Sequence, residues 1–419
     1  MQHRRLSAAA ALLATSGLLA ACGQNSSSGD ENTLTVTAAS GETIVLEAIT
    51  AAFEEANPGV TVEVTTSGVD QYQTTTRTQL SSGSAPDVLF VWPGDGNPMA
   101  MQVAAEAGFL HDLSDRPWVE DIPDGIRPVT EIDGQTWIAP VTFSGIGAVY
   151  NMDAVADAGL EPPETRTELL EFCADAQDAG VPAFSLGAQT PWVTQLVNYA
   201  IAPTLVYGPD PEFPAEMAAG DATFADSPWR DTMEQYMEMA DSGCFQDQPL
   251  GTSYEASLEA VASGDALGVI QVNDSLTALG EQSPDTEFTM LPVPATDDPE
   301  DTRMAGAAGS SYAINADAPN IELATEFIDF LASPEGMNTY AETNNGLPAI
   351  PNDDFTADPA LASLAEYQAD GRTDPFMDQL WPNARVQQTH FAVVQELLSG
   401  SVDVDAALTR MDEAYAEGE

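Results

Sequence analysis

The sequence predicts an α/β fold in two lobes, on three observations. Strand and helix patterns alternate at the start of the folded part, which predicts a parallel sheet with crossover helices. The 419 residues, 43% of them hydrophobic, suffice for two lobes of ordinary domain size, each with its own core. One short apolar run lies near the N-terminus, and no second long run follows, so the rest of the chain is not predicted to span a membrane.

The N-terminal segment has the pattern of an export signal. Two arginines at positions 4 and 5 precede a mostly apolar run over residues 8–21, which is too short to span a membrane. The run ends in Leu19-Ala20-Ala21-Cys22, which resembles the lipobox of bacterial lipoproteins. The resemblance implies that residues 1–21 are a lipoprotein signal peptide and that Cys22 carries a lipid. The alternative is an ordinary signal peptide that contains a cysteine, and the sequence leaves open whether export uses the Sec or the twin-arginine route.

The next elements follow in a regular order. Residues 22–32 are mostly small and polar, so they are predicted to form a flexible tether. Alternating or apolar β-rich runs predict three strands, and apolar residues at helical spacing predict two helices between them. The strands cover residues 34–38, 60–65 and 87–92, and the helices cover residues 45–56 and 72–80.

Polar and aromatic side chains follow the first and third predicted strands. Ligands of parallel sheets bind beyond the carboxyl ends of the strands. This rule predicts that Ser40 and Glu42, after the first strand, and Trp92 and Asp95, after the third, contact a ligand. Two simpler interpretations stay open, because Ser40 could only cap the next helix and Trp92 could only fill a core.

The charge balance is strongly acidic. Eleven arginines and no lysine stand against 67 acidic residues, which gives a formal net charge of −56. Such a surface repels phosphate groups, so nucleic acid and anionic lipid are not expected as partners. We interpret the excess acid as an adaptation to high salt or alkaline medium, where screening weakens self-repulsion. The alternative is an acidic surface that binds cations.

Two cysteines remain after Cys22. Exported proteins fold in an oxidising compartment, so a disulfide between Cys173 and Cys244 is the default expectation. Two buried thiols are the alternative. No spacing typical of a metal site or of a cofactor site is present, and no cofactor is predicted.

An ordered set of sequence blocks resembles one protein family. The set begins with NPGVTVEV, SGSAPDVLFVW and EAGFLHDLSD, and it continues with IGAVYN, MDAVADAGLEPPET, ALGVIQV, GSSYAIN, ATEFIDFLASPEGM and GSVDVDAA. Together these blocks are similar to the extracellular solute-binding proteins of family 1, the sugar-binding branch that serves bacterial ABC importers. The resemblance covers almost all of the chain after Cys22.

The resemblance implies a periplasmic-binding-protein-like (Venus flytrap) fold, in which a hinge of crossing segments joins the two lobes. Each lobe is expected to hold a mostly parallel sheet flanked by helices. The predicted N-terminal lobe consists of residues 33–141 plus 306–333, and the C-terminal lobe of residues 142–305 plus 334–419. Crossings are expected near residues 140–144, 303–309 and 332–334.

The resemblance also implies a function. The expected protein is a monomer held at the outer face of the cell membrane only by its lipid. It would capture a mono- or oligosaccharide between its lobes and deliver it to a membrane permease that a separate ATPase powers.

A sugar needs aromatic faces for its CH groups and polar side chains for its hydroxyls. The predicted ligand contacts comprise Ser40, Glu42, Trp92, Asp95, Gln189, Trp192, Asn273, Asp274, Trp381 and Arg385. Trp192 resembles in position an aromatic residue that binds sugar in this family. One block departs from the family: Val272-Asn273-Asp274 stands where Gly-Ser-Trp is common. This departure admits a polar or cationic solute that is not a sugar.

An enzymatic function has little support. The sequence contains no GxSxG, HExxH, P-loop or CxxC motif, and His111 and His390 have no motif partners nearby. Two other classes stay open as alternatives: a lipoprotein glycoside hydrolase that uses two of the many carboxylates, and a surface lipoprotein that signals or adheres.

Overall fold

The computed structural model describes residues 32–417. The predicted signal peptide, Cys22 and nearly all of the predicted tether lie outside the described residues. Within residues 32–417, none of the helices combines the length and the apolar character that crossing a membrane requires.

Thirteen strands and fifteen α-helices are named below in chain order. The strands are β1 (Thr33–Ala39), β2 (Thr61–Ser67), β3 (Val88–Phe90), β4 (Glu131–Ile132), β5 (Gln135–Thr136), β6 (Ala139–Pro140), β7 (Thr142–Asn151), β8 (Gly268–Val272), β9 (Phe288–Leu291), β10 (Met304–Ala308), β11 (Ser311–Ile314), β12 (Leu347–Pro348) and β13 (Thr373–Asp374). The helices are α1 (Thr43–Ala56), α2 (Val69–Ser82), α3 (Met101–Glu106), α4 (Met152–Asp157), α5 (Arg166–Ala179), α6 (Leu196–Ala202), α7 (Phe213–Ala219), α8 (Trp229–Asp241), α9 (Tyr254–Ala262), α10 (Ser275–Gln282), α11 (Ile321–Leu331), α12 (Pro334–Thr343), α13 (Ala362–Ala369), α14 (Ala384–Leu398) and α15 (Val404–Ala416).

The first lobe is built on a five-stranded sheet in the order β2-β1-β3-β11-β6. Its first three strands pair in parallel, as the alternation of strands and helices predicts. The last two strands run antiparallel, β11 beside β3 and β6 beside β11. Helix α1 covers this sheet with Ile49 and Phe53, and the Phe53 ring meets the edge of Phe327 from α11 at 5.1 Å. The parallel β1–β3 arrangement places the ends of β1 and β3 at one edge of the sheet.

The second lobe is built around the ten-residue strand β7. Strands β8, β9, β10 and β12 all pair with β7 antiparallel, and only β10 and β13 pair in parallel. The expectation of a mostly parallel sheet in this lobe was therefore wrong. The reason is that one long strand accepts several returning segments, and each of them meets it from the opposite direction. The predicted α/β fold in two sheet-bearing lobes is confirmed.

Short segments lead from one sheet to the other. The chain leaves the first sheet at β6 and enters the second at β7 after Val141 alone. It returns between β10 and β11, through Gly309 and Ser310. The cleft between the lobes is thus bounded at its base by these connections.

The third predicted crossing assigned residues from 334 onward to the second lobe. Helix α12 packs against α1 and α11 of the first lobe, and it also contacts β12 and β7 of the second sheet. Only Ala332 and Ser333 separate α11 from α12, and the Ser333 hydroxyl caps α12 by accepting the Gly336 N–H at 3.1 Å. So short a connection keeps α12 beside α11. The chain joins the second sheet only after α12, at β12.

A disulfide joins Cys173 on α5 to Cys244 after α8, as expected for an exported chain. Both residues are fully buried in the core of the second lobe. The bond therefore holds α5 and the segment after α8 together, although its two cysteines are 71 residues apart in the sequence.

Candidate functional site

The structure brings side chains from both lobes together near the hinge. Glu42 stands in the short helical turn that follows β1, at the predicted edge of the first sheet. Asp274 precedes α10 in the second lobe and lies close enough to Glu42 for the two negative charges to repel each other. Together they define a candidate site between the two lobes, with two acidic side chains close to the hinge.

Glu42 is the most deeply buried of the predicted acidic contacts. Its side chain is only 9% exposed. The Ser310 hydroxyl donates to Oε1 at 3.1 Å, and the Tyr340 hydroxyl donates to Oε2. Burial raises the pKa of Glu42 to about 7, the hydrogen bond from Tyr340 opposes that rise, and the charge of Asp274 adds to it. Glu42 can therefore exchange a proton near neutral pH.

The residue Asp274 is exposed as a whole, yet protein surrounds its carboxyl group. This partial loss of hydration raises the pKa of Asp274 to about 6, and a hydrogen bond from the Ser275 N–H opposes the rise.

Two aromatic rings continue the second-lobe wall from Asp274. Tyr254, the first residue of α9, lies within electrostatic range of Asp274. The Trp192 ring packs on Tyr254 with centroids 5.0 Å apart, and it is only partly buried. The Thr190 hydroxyl accepts the Tyr254 N–H at 3.0 Å, so the turn that carries Trp192 is fixed to α9. An aromatic surface thus stands beside the Asp274 carboxylate.

On the first lobe, Trp92 and Asp95 follow β3. The Trp92 ring packs edge to face on Phe90, with centroids 4.7 Å apart, and its centroid lies 5.9 Å from that of Tyr72. Its remaining surface leaves it partly exposed at the end of β3. Burial raises the pKa of the partly exposed Asp95 to about 7, and the charge of Glu106 adds to the rise. This loop therefore offers an aromatic face and a second proton-exchanging carboxyl group.

Two further candidates are exposed. Ser40 begins the turn that contains Glu42, and its carbonyl accepts the Thr43 hydroxyl at 2.8 Å. Gln189 is held by its backbone N–H, which donates to the Thr252 carbonyl at 3.0 Å. Their side chains are accessible, and their role as ligand contacts stays a prediction.

Three candidates are engaged in other contacts within the protein. Trp381 is 3% exposed and lies in the core of the second lobe, edge-on to Tyr199. Arg385, near the start of α14, is exposed and forms a salt bridge with Glu417. The Trp381 ring is therefore turned into the core, where the sequence suggested an exposed tryptophan. Arg385 stays accessible, and its role as a ligand contact stays a prediction.

The third of these candidates, Asn273, is 1% exposed. Its Oδ1 accepts the Gly145 N–H at 2.8 Å, and its Nδ2 donates to the Asn345 carbonyl at 2.6 Å. Because both ends of the amide are used, Asn273 ties the segment before Asp274 to strand β7. Its predicted contact with a ligand stays a prediction.

Several site residues were missed in the sequence. Tyr340 is 298 residues from Glu42, and Ser310 is 268 residues away, so no local pattern connects them. Tyr254 is 64 residues from Thr190, whose hydroxyl accepts its N–H, so this pairing has no local pattern either.

No described arginine forms a salt bridge or hydrogen bond with Glu42, Asp95 or Asp274. Seven of the nine arginines in residues 32–417 pair with carboxylates elsewhere: Arg116, Arg127, Arg166, Arg230, Arg303, Arg385 and Arg410. The negative charge of these three carboxylates is thus not balanced by any arginine among residues 32–417.

Comparison with known proteins gives a family and a set of relatives. The family model of the bacterial extracellular solute-binding proteins matches residues 38–338. The multiple sugar-binding protein of Streptococcus mutans is 22% identical over 342 residues, covering 80% of each chain. The melibiose/raffinose/stachyose-binding protein MelE of Bacillus subtilis is 22% identical over 377 residues, covering 87% of this chain and 86% of that one.

Solved structures agree on the fold. RafE in complex with raffinose superposes with a TM-score of 0.77 at 22% identity, over 92% of this chain and 99% of that chain. A sugar transporter of Bacillus licheniformis in complex with stachyose gives a TM-score of 0.73 at 20% identity, over 92% of this chain and 100% of that chain. The matched residues 38–338 make up well over half of the 419-residue chain. The chain therefore belongs to the family of bacterial extracellular solute-binding proteins.

Proposed function

We propose that this chain captures a mono- or oligosaccharide between its lobes as the solute-binding component of an ABC importer. Its partners would be the membrane permease subunits of that importer and the separate ATPase that powers them. The names of the relatives given above describe them as sugar-binding proteins. This chain has the fold of the raffinose complex of RafE. The observation that carries the proposal is the meeting of Glu42 and Asp274 with the aromatic wall of Trp192 and Tyr254.

This combination suits a sugar chemically. Carboxylates accept hydrogen bonds from hydroxyl groups, and charge makes such bonds stronger. Aromatic rings offer flat apolar faces to the CH groups of a pyranose. Trp92 and Asp95 supply the same pair of functions from the first lobe. A sugar held between the walls would contact both lobes at once.

As a member of a family of binding proteins, the chain captures its solute and does not transform it. The lobes close because the ligand binds better to the closed arrangement than to the open one. The permease would then recognise the closed form.

A polar or cationic solute is the second candidate. The specific observation in its favour is that Glu42, Asp95 and Asp274 have no arginine partner among residues 32–417. A ligand with an amino group would balance the charge that these carboxylates bring into the cleft.

The anchoring proposal rests on the sequence. Lipid on Cys22 would hold the monomer at the outer face of the membrane, with residues 23–32 as the tether. Metabolic labelling with a palmitate analogue should mark the wild type and leave Cys22→Ala unlabelled. Equal labelling of both would contradict lipidation at this residue.

The function is tested with residues 23–419 and isothermal titration. The panel contains raffinose, stachyose, chitin oligosaccharides and spermidine. Binding of a sugar at micromolar or better affinity would support the proposal, and binding of spermidine alone would favour the second candidate. Absence of binding across the whole panel would leave the sugar proposal without support.

Two variants then place the site. We expect Trp192→Ala to lose about tenfold or more in affinity, since aromatic stacking contributes about 1 kcal/mol beyond the buried area. Trp192→Phe keeps a ring at this position and should retain most of the affinity. Unchanged affinity in Trp192→Ala would remove this wall from the site.

A further inference from the structure

The two lobes touch backbone to backbone at a point beside the candidate site. The loop of residues 93–97 follows β3 in the first lobe, and the short turn Met377–Leu380 belongs to the second lobe. The Gly96 N–H donates to the Asp378 carbonyl at 3.0 Å, and the Asp95 N–H approaches the Gln379 carbonyl at 3.4 Å. These main-chain contacts join residues 93–97 of the first lobe to residues 377–380 of the second lobe, and they are here called the interlobe bridge.

Only glycine leaves room for this approach. A Cβ atom built on Gly96 would lie 2.0 Å from the Asp378 carbonyl oxygen, and one on Gly94 would lie 2.2 Å from the Gln379 carbonyl oxygen. Both distances are far inside van der Waals contact, and the obstructing atoms are main-chain atoms that cannot rotate away. Gly94 also needs its positive φ of 73°, whereas Gly96 has no such need. Gly96 is therefore glycine for space alone.

Each side of the bridge is fixed to its own lobe. The Gly94 N–H donates to the Val129 carbonyl of the first lobe at 2.8 Å. In the second lobe, the buried Asp378 carboxylate accepts a hydrogen bond from Nε2 of Gln387 at 2.9 Å, and Met377 is fully buried. A movement that separates the two lobes at this point would therefore break the bridge.

The bridge also touches the ligand contacts. Trp92 and Asp95 stand on or directly beside the loop that meets the turn. We infer that Gly94 and Gly96 are positioning residues for solute capture, because they allow the bridge to form and thereby hold Trp92 and Asp95 against the cleft when the lobes are together. This inference rests on the proposed function for its consequence on binding, while the bridge itself needs no ligand.

The first test is therefore made without ligand. Small-angle scattering is compared for the wild type, Gly96→Ala and Gly125→Ala, all as residues 23–419. Gly125 is an exposed glycine of the first lobe, and it is the matched control because an added Cβ would have nothing within 4 Å and its φ is not positive. We expect a larger radius of gyration for Gly96→Ala only. Equal radii for all three proteins would overturn the inference.

The second test measures affinity for raffinose in the same three proteins. Loss of the bridge should weaken binding at least about tenfold in Gly96→Ala, with the Gly125→Ala control unchanged. Equal affinity in Gly96→Ala and the wild type would overturn the role in capture. If raffinose binds to none of them, the choice of sugar fails, and scattering alone then decides the inference.

Gly96→Ala could fail to fold, so a third measurement uses only the wild type. Hydrogen exchange should show the Asp95 and Gly96 amides protected, because both donate across the bridge. Exchange at the rate of a free loop would show that the bridge does not form in solution and would overturn the inference.

Discussion

Glu42 holds an ionisable group where ionisation is unfavourable. Burial separates the carboxylate from water, and Asp274 adds a second negative charge, so the pKa rises from the ordinary 4.5 to about 7. The hydroxyl donors Ser310 and Tyr340 compensate only in part. Because the folded state binds this proton more tightly than the unfolded chain does, the stabilising contribution is complete below about pH 4.5 and is lost as the pH rises through about 7.

The direction of this pH dependence gives the first prediction. Glu42→Gln has the shape of the protonated glutamate side chain but cannot ionise. It should therefore be more stable than the wild type at about pH 8.5 and similar to it at about pH 5. Each pKa unit is worth about 1.4 kcal/mol, so the gain in the free energy of unfolding should approach about 3 kcal/mol. Urea unfolding at both pH values measures it.

The exposed Glu55→Gln serves as the control for a general loss of charge. An equal gain in both variants, or no dependence on pH in their difference, would contradict a raised pKa at Glu42. The same titration is relevant to capture, since protonated Glu42 can donate a hydrogen bond that the carboxylate cannot.

Two tryptophans illustrate what residue patterns can predict about a site. Trp192 and Trp381 each stand beside a proline in a polar stretch, and the sequence offers the same interpretation for both. Trp192 is partly exposed beside Tyr254, whereas Trp381 is 3% exposed in an aromatic core. The direction of a side chain in an irregular segment depends on packing from α8 and α14, which no local signal contains.

The second prediction follows from this difference. Trp381→Ala should lower the free energy of unfolding by about 3–5 kcal/mol, because it removes a large side chain from a filled core. Trp192→Ala should lower it by much less, since that ring is partly exposed. Chemical denaturation of both variants measures the effect, and a similar loss in the two would argue against the buried position of Trp381.

At the scale of elements, the sequence was informative where patterns are local. The predicted strands at 34–38 and 60–65 correspond to β1 and β2, and their parallel pairing followed from the helix between them. The antiparallel partners of β7 come from segments that are up to about 200 residues away, so their direction could not be predicted. The expected disulfide is confirmed, because the compartment and the count of cysteines suffice to predict it.

The third prediction concerns this disulfide. Cys173 and Cys244 are separated by 71 residues, and in the chain-entropy model such a loop contributes about 4 kcal/mol by restricting the unfolded chain. The double variant Cys173→Ala/Cys244→Ala should lose this amount in the free energy of unfolding. Reduced and oxidised wild type, compared under the same conditions, provide the control without a cavity. A loss below about 1 kcal/mol in both comparisons would contradict the entropic account.

At the scale of the whole molecule, acidic side chains greatly outnumber basic ones. Most acidic side chains in residues 32–417 have no arginine partner, since only nine arginines are available and seven already form salt bridges. A net charge of −56 therefore acts mainly as unbalanced repulsion over the surface. Few salt bridges compensate for this repulsion, so ions in the solvent must screen it.

The last prediction is that salt stabilises the folded chain. The Debye length falls from about 10 Å at 0.1 M to about 3 Å at 1 M, so added salt should weaken repulsion between carboxylates and raise the unfolding midpoint. Thermal unfolding of residues 23–419 is measured across this range in sodium chloride and in choline chloride. An equal rise in both salts would identify screening as the cause, as an adaptation to salt requires. A rise only with sodium would favour specific cation binding by the acidic surface, and no rise in either salt would contradict the adaptation.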